Sequence, residues 1–82
     1  MNTWRYIFSW EVVPEELHRG QTVRILASTC NPKASTIAKI GMTGVLDRLI
    51  TSHSDYPNGY WEVSFPDGGV WCYNPEDLEV IP

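Results

Sequence analysis

The chain has 82 residues and a mass of 9.4 kDa, room for one small domain and no second core. Its 43% apolar and 20% charged residues exclude a disordered tail, and no apolar run approaches the ~18 residues of a membrane helix. The net charge of −4 is unevenly spread: residues 1–48 hold all six Lys and Arg against four acids, whereas residues 49–82 hold six acids and no Lys or Arg. That second half repels a phosphate backbone and disfavours nucleic-acid binding. Arg5 and Glu11 interrupt the apolar start and no small-residue cleavage site follows them, so no signal peptide is expected. With two cysteines and no export signal, the expected setting is a reducing cytoplasm with both thiols free.

In chain order, Thr3 to Val13 alternates, placing Trp4, Tyr6, Phe8, Trp10 and Val12 on one side of an expected strand. Such an aromatic face supplies core volume to a small domain, or a sticky edge through which two copies associate. Pro14 ends that strand, and one helical turn is expected between it and Gly20. Thr22–Leu26 reads as a second strand with Val23 and Ile25 inward. Residues 32–41 hold a turn or two of helix ended by Gly41. Val45–Ile50 is a third strand. The polar stretch 51–59 follows, with a turn at Asn58-Gly59, and Tyr60–Phe65 is a fourth strand. The turn Pro66-Asp67-Gly68-Gly69 leads to Val70–Tyr73. Asn74-Pro75-Glu76-Asp77 has the N-cap, proline and acids of a 3₁₀ turn, and Leu78–Ile81 closes the sheet.

The loop length at residues 66–69 decides which face of this hairpin looks outward. The Asp-Gly pair favours an even loop, which pairs Phe65 with Val70 and Val63 with Cys72. Tyr60, Glu62, Ser64, Trp71 and Tyr73 then stand together outside the core, an aromatic surface of the kind that anchors a partner. A three-residue loop reverses the last strand and turns Trp71 and Tyr73 inward. Equally, Trp4, Phe8 and Trp10 could cover the outer face and make one extended core of both features. Tyr56 beside Asp55 offers an aromatic tip in either register.

Catalytic signals are weak. His53, Ser54 and Asp55 have the residue types of a triad, but consecutive side chains point apart. Cys30, Cys72, His18 and His53 lack the paired spacing of zinc ligands, so no metal or other cofactor is expected. Gly41 to Gly44 and Asp67-Gly68-Gly69 read as turns, not as a phosphate-cradling loop.

Three stretches carry a resemblance to the SH3-like barrels of the KOW-like and ferredoxin-binding accessory-subunit kinds. Gly20-Gln21-Thr22-Val23-Arg24-Ile25 resembles their opening strand, and Ile40-Gly41-Met42-Thr43-Gly44-Val45 their second strand after a long loop. Trp61 to Gly68 with Leu78–Ile81 resembles their hairpin and closing strand. The resemblance implies an all-β fold: a small SH3-like barrel of five to six antiparallel strands over residues 17–81. An extra N-terminal strand over residues 1–13 and a short 3₁₀ turn before the last strand complete one domain spanning 1–82. Members of this superfamily bind proteins, peptides, nucleic acids or ferredoxin, and a few are enzymes. The plasmid-type dihydrofolate reductases build their site on a Val-Gln-Ile-Tyr strand, and Val70-Trp71-Cys72-Tyr73 lacks its glutamine, so that activity is not carried over.

The resulting expectation is a non-catalytic interaction module or accessory subunit. Trp71, Tyr73, Tyr60, Tyr56, Glu62 and Asp55 would meet a protein partner with a basic surface, aromatics anchoring and acids selecting. The alternatives are a KOW-like nucleic-acid binder using Arg24, Lys33, Lys39 and Arg48, and a small oligomeric barrel enzyme.

Overall fold

A computed structural model describes residues 4–7, 11–14 and 17–82. The chain is all-β, with a main sheet of five antiparallel strands. Strands β1 (Trp4–Ile7) and β2 (Glu11–Pro14) pair with each other as a separate two-stranded sheet, Ile7 opposite Glu11. The expected single strand from Thr3 to Val13 is therefore two, because the chain reverses between Ile7 and Glu11. The idea that Trp4, Phe8 and Trp10 cover a barrel face concerns side chains outside the described residues. The helical turn expected after Pro14 does not form over residues 17–20, where Arg19-Gly20 makes a plain turn with Gly20 at φ +91°.

The main sheet runs β6-β5-β4-β3-β7, with β3 (Thr22–Ile25), β4 (Thr43–Ile50), β5 (Tyr60–Ser64), β6 (Val70–Tyr73) and β7 (Leu78–Ile81). A 3₁₀ turn over Pro75–Asp77 leads directly into β7, as the proline and acids there predict. Alternation is clean where the sheet is half-covered. Val23 and Ile25 on β3, Trp61 and Val63 on β5, and Leu78 and Val80 on β7 are buried, with Leu46, Phe65 and Tyr73 completing the core. Burial of these apolar side chains supplies most of the stability of so small a domain. At Asp47 β4 bulges, so that Leu46 pairs with Val63 but Arg48 pairs with Glu62. Without the bulge Arg48 would follow Leu46 toward the core. With it, the guanidinium lies outside and bonds the Glu62 carboxylate at 2.8 Å.

The β5–β6 turn overturns the even-loop expectation. Phe65 N–H donates to the Gly69 carbonyl and Gly68 N–H to the Phe65 carbonyl, both at 2.9 Å, leaving a three-residue loop. Ser64 therefore pairs with Val70, Val63 with Trp71 and Trp61 with Tyr73. The reason lies in the glycine: Gly68 takes φ +88°, the left-handed position that ends a three-residue hairpin loop. Asp67 also accepts the Gly69 N–H at 2.8 Å. One residue of slip exchanges the faces of β6, and Tyr73 goes to the core.

Between β3 and β4 lies α1 (Ala34–Ile37), one helical turn ended short of Gly41. Thr36 ties it down: its hydroxyl accepts the Lys33 N–H at 2.8 Å and a bond from Ser28 Oγ at 2.9 Å. Its carbonyl accepts the Tyr73 hydroxyl, also at 2.9 Å. Lys39, just beyond α1, bonds the Asp67 carboxylate in the β5–β6 turn and lies 5.0 Å from the Phe65 ring centre. The Lys39 ammonium, with the Gly69 N–H, holds the Asp67 carboxyl below its unperturbed 3.8. With the folded value the lower one, this contribution to stability is complete above pH 3.8 and is lost as pH falls through the folded value. Asp67→Asn should therefore flatten the acid limb of stability between roughly pH 5 and 2, as read from urea midpoints at each pH.

Candidate functional site

The six residues expected to form one contact surface are distributed over four places. Tyr73 is fully buried, and burial pushes its phenol up to about 12, so it belongs to the core and not to a surface. Its place follows from the three-residue loop. Trp71 leans against the core and floors a shallow groove between α1 and the β5–β6 turn, with Ser35, Ala38, Lys39, Asp67 and Gly69 around it. Glu62 is bonded to Arg48 on the outer side of β5. Only Tyr56, Tyr60 and Asp55 are brought together.

These three belong to the 51–59 loop and the start of β5. The loop is built from consecutive turns: Tyr56 N–H donates to the His53 carbonyl at 3.1 Å and Gly59 N–H to the Tyr56 carbonyl at 2.9 Å. Asp55 N–H also donates to His53 Nδ1 at 3.2 Å. Gly59 closes the loop at φ +79°, where a β-carbon would stand 2.9 Å from the Ile50 carbonyl oxygen, so only glycine fits. The result is an aromatic cluster meeting edge to face: Tyr56 lies 5.1 Å from His53 and 5.2 Å from Tyr60, centre to centre. A hydrogen bond to Cys30, in the 26–33 loop, raises the Tyr56 phenol, and burial raises that of Tyr60.

Opposite this cluster stands the 3₁₀ turn. Asp55, Tyr56, Pro57, Asn58 and Gly59 on one side face Asn74, Pro75 and Glu76 on the other across a cleft of about 270 Å³. The second wall is fixed from behind. Asp77, buried, accepts the Thr29 N–H at 2.9 Å and the Thr29 hydroxyl at 2.5 Å, while Leu26 N–H donates to the Asp77 carbonyl at 2.8 Å. Asn74 Nδ2 donates to Thr29 Oγ1 at 3.0 Å.

Charge distinguishes this cleft from the rest of the described surface. Asp47 pairs with Arg19 at 3.8 Å, Glu62 with Arg48 at 2.8 Å and Glu79 with Arg24 at 3.4 Å, and Asp67 bonds Lys39. Asp77 is held by Thr29. Over residues 17–82, Asp55 and Glu76 are the acids left without a Lys, Arg or neutral hydrogen-bonding partner from the same residues; Asp55 has only His53 Nδ1 at 4.0 Å. Both line the same cleft. The aromatic tip at Tyr56 beside Asp55 was readable from the sequence, and so was the acidic 3₁₀ turn. Their meeting across a cleft is a tertiary fact, as is the part of His53, which triad spacing alone made unremarkable.

The four cations of the nucleic-acid alternative are mostly engaged. Arg24, Lys39 and Arg48 each hold a carboxylate, and the exposed Lys33 has no carboxylate partner among residues 17–82. Among the described residues no group of three or more His, Cys, Asp or Glu side chains could hold a metal ion. Nor is any described helix long and apolar enough to cross a membrane. Comparison with known proteins gives no match to a family model and none to a curated protein.

Proposed function

We propose that this chain is a non-catalytic protein-interaction module or small accessory subunit that receives a basic segment of a partner protein. The receiving surface is the cleft between the 51–59 loop and the 3₁₀ turn. The observation that carries this reading is the convergence of Asp55 and Glu76 on one cleft walled by Tyr56. A Lys or Arg side chain entering there finds two uncommitted carboxylates and an aromatic wall, with the Asn58 and Asn74 amides beside them. The strand order and the 3₁₀ turn before β7 support an SH3-like barrel as the scaffold. A scaffold of that type is used in many ways, so the function rests on the cleft and not on the fold.

Charge reversal tests this. Asp55→Lys with Glu76→Lys is surface-directed and leaves the core intact. A partner captured from a nuclease-treated native lysate should be lost from this variant, with affinity falling at least about tenfold, since setting like charges against each other across an interface costs several kcal/mol and about 1.4 kcal/mol already corresponds to that factor. Capture that disappears with nuclease, and survives the double substitution, would instead assign the chain to nucleic acid through Arg24, Lys33, Lys39 and Arg48.

A further inference from the structure

Two free cysteines lie beside β6, the outer strand of the main sheet. Cys30, buried in the 26–33 loop, and Cys72, half-buried on β6, line one small cleft of about 70 Å³ together with Asn31, Lys33, Thr36 and Trp71. Burial pushes the Cys30 thiol up; a hydrogen bond with Tyr56 opposes this, and the charges of Asp77 and Glu76 add to it. Burial likewise raises Cys72, and a charge on Cys30 and that on Glu62 raise it further while Lys33 lowers it. Both thiols border that one cleft. They differ in access, because Cys30 is only 2% exposed whereas Cys72 opens to solvent beside Lys33.

We propose that Cys72 and Cys30 form a dithiol–disulfide couple that exchanges with low-molecular-weight disulfides, Cys72 attacking and Cys30 resolving. In the first step the Cys72 thiol loses its proton to solvent and its thiolate attacks one sulfur of an external disulfide such as oxidised glutathione. An S–S bond forms at Cys72 and the external bond breaks, releasing one glutathione thiolate. In the second, Cys30 loses its proton and attacks Cys72 Sγ, expelling the second glutathione thiolate. The protein is oxidised by two electrons, one glutathione disulfide is reduced to two thiols, and two protons are passed on. Raised thiols make both steps slow at neutral pH, as suits a couple that responds to sustained oxidation. The bond would fasten the 26–33 loop to β6, which requires Cα atoms within about 7 Å of each other.

The test uses the full, folded chain, reduced and then incubated with oxidised glutathione under native conditions. Wild type should lose two hydrogen masses, and a non-reducing peptide map should join the Cys30 and Cys72 peptides within one chain. Cys30→Ser should stop at a persistent mixed disulfide on Cys72. Cys72→Ser should leave Cys30 unmodified while the fold holds, as followed by tryptophan fluorescence. Stable glutathione adducts on wild type, or disulfides only between chains, would overturn the proposal, since either means that the two sulfurs do not reach each other.

Discussion

Replacing Tyr73 by alanine is expected to unfold the domain, whereas Tyr73→Phe should leave it folded and weaker by about 1 kcal/mol. The ring has no solvent exposure, stands 6.2 Å from that of Phe65, centre to centre, and lies opposite Trp61 in the sheet. Truncating a buried aromatic costs about 3–5 kcal/mol, and losing the hydroxyl bond to the Thr36 carbonyl, which keeps the Lys39 N–H at 3.3 Å, adds about 0.5–1.5 kcal/mol. A chain of this size has only roughly 4–12 kcal/mol in all. The same substitution in a hairpin with an even loop would remove a surface side chain at little cost. Urea midpoints of Tyr73→Ala, Tyr73→Phe and wild type therefore read out the register of the hairpin directly. A Tyr73→Ala variant as stable as wild type would contradict it.

Gly44→Ala is expected to destabilise the domain by about 1–3 kcal/mol, more than a strand glycine ordinarily matters. Gly44 sits opposite Val23 on β4, in ordinary extended backbone, so the constraint is not conformational. It is steric. A β-carbon there would lie 2.7 Å from Val63 Cγ1, 2.8 Å from the Ser64 carbonyl oxygen and 3.1 Å from Phe65 Cδ1. Val63 can change rotamer only by disturbing a fully buried core, and the Ser64 carbonyl belongs to β5 itself. The strands would have to part. A urea midpoint for Gly44→Ala unchanged from wild type would show that β4 and β5 do not approach so closely.

The elements were largely legible in the sequence because alternation and turn residues act locally. Val23 and Ile25 alternate with polar neighbours and are buried, and the Asn-Pro-Glu-Asp run before Leu78 forms its 3₁₀ turn. What escaped was decided by single residues with two physically acceptable outcomes. Asp67-Gly68 suits an even hairpin loop, yet it also suits a three-residue loop with Gly68 in the left-handed region, and that difference of one residue moved Tyr73 from surface to core. The bulge at Asp47 likewise leaves no mark in the hydrophobic pattern, although it sends Arg48 to Glu62. The candidate site was half legible. Tyr56, Tyr60 and Asp55 lie close in sequence and stay together in space. Glu76 could be recognised as an acid in a short turn, but its opposition to Asp55 depends on Thr29 holding the 26–33 loop against Asp77. Pairings over such sequence distances carry no local signature. The same holds for Cys30 and Cys72, whose spacing suggests nothing until the fold sets the 26–33 loop and β6 around one cleft.

The most direct measurement is an amide NMR titration of the isotopically labelled chain with a short, unstructured peptide rich in Lys and Arg. Saturable shifts are expected, concentrated at Asp55, Tyr56, Asn58, Gly59, Asn74 and Glu76, weakened by salt and abolished in Asp55→Asn with Glu76→Gln. Shifts scattered over Asp47, Glu62 and Glu79, or an unchanged response in the double variant, would contradict it, because the peptide would then be reading net charge and not the cleft.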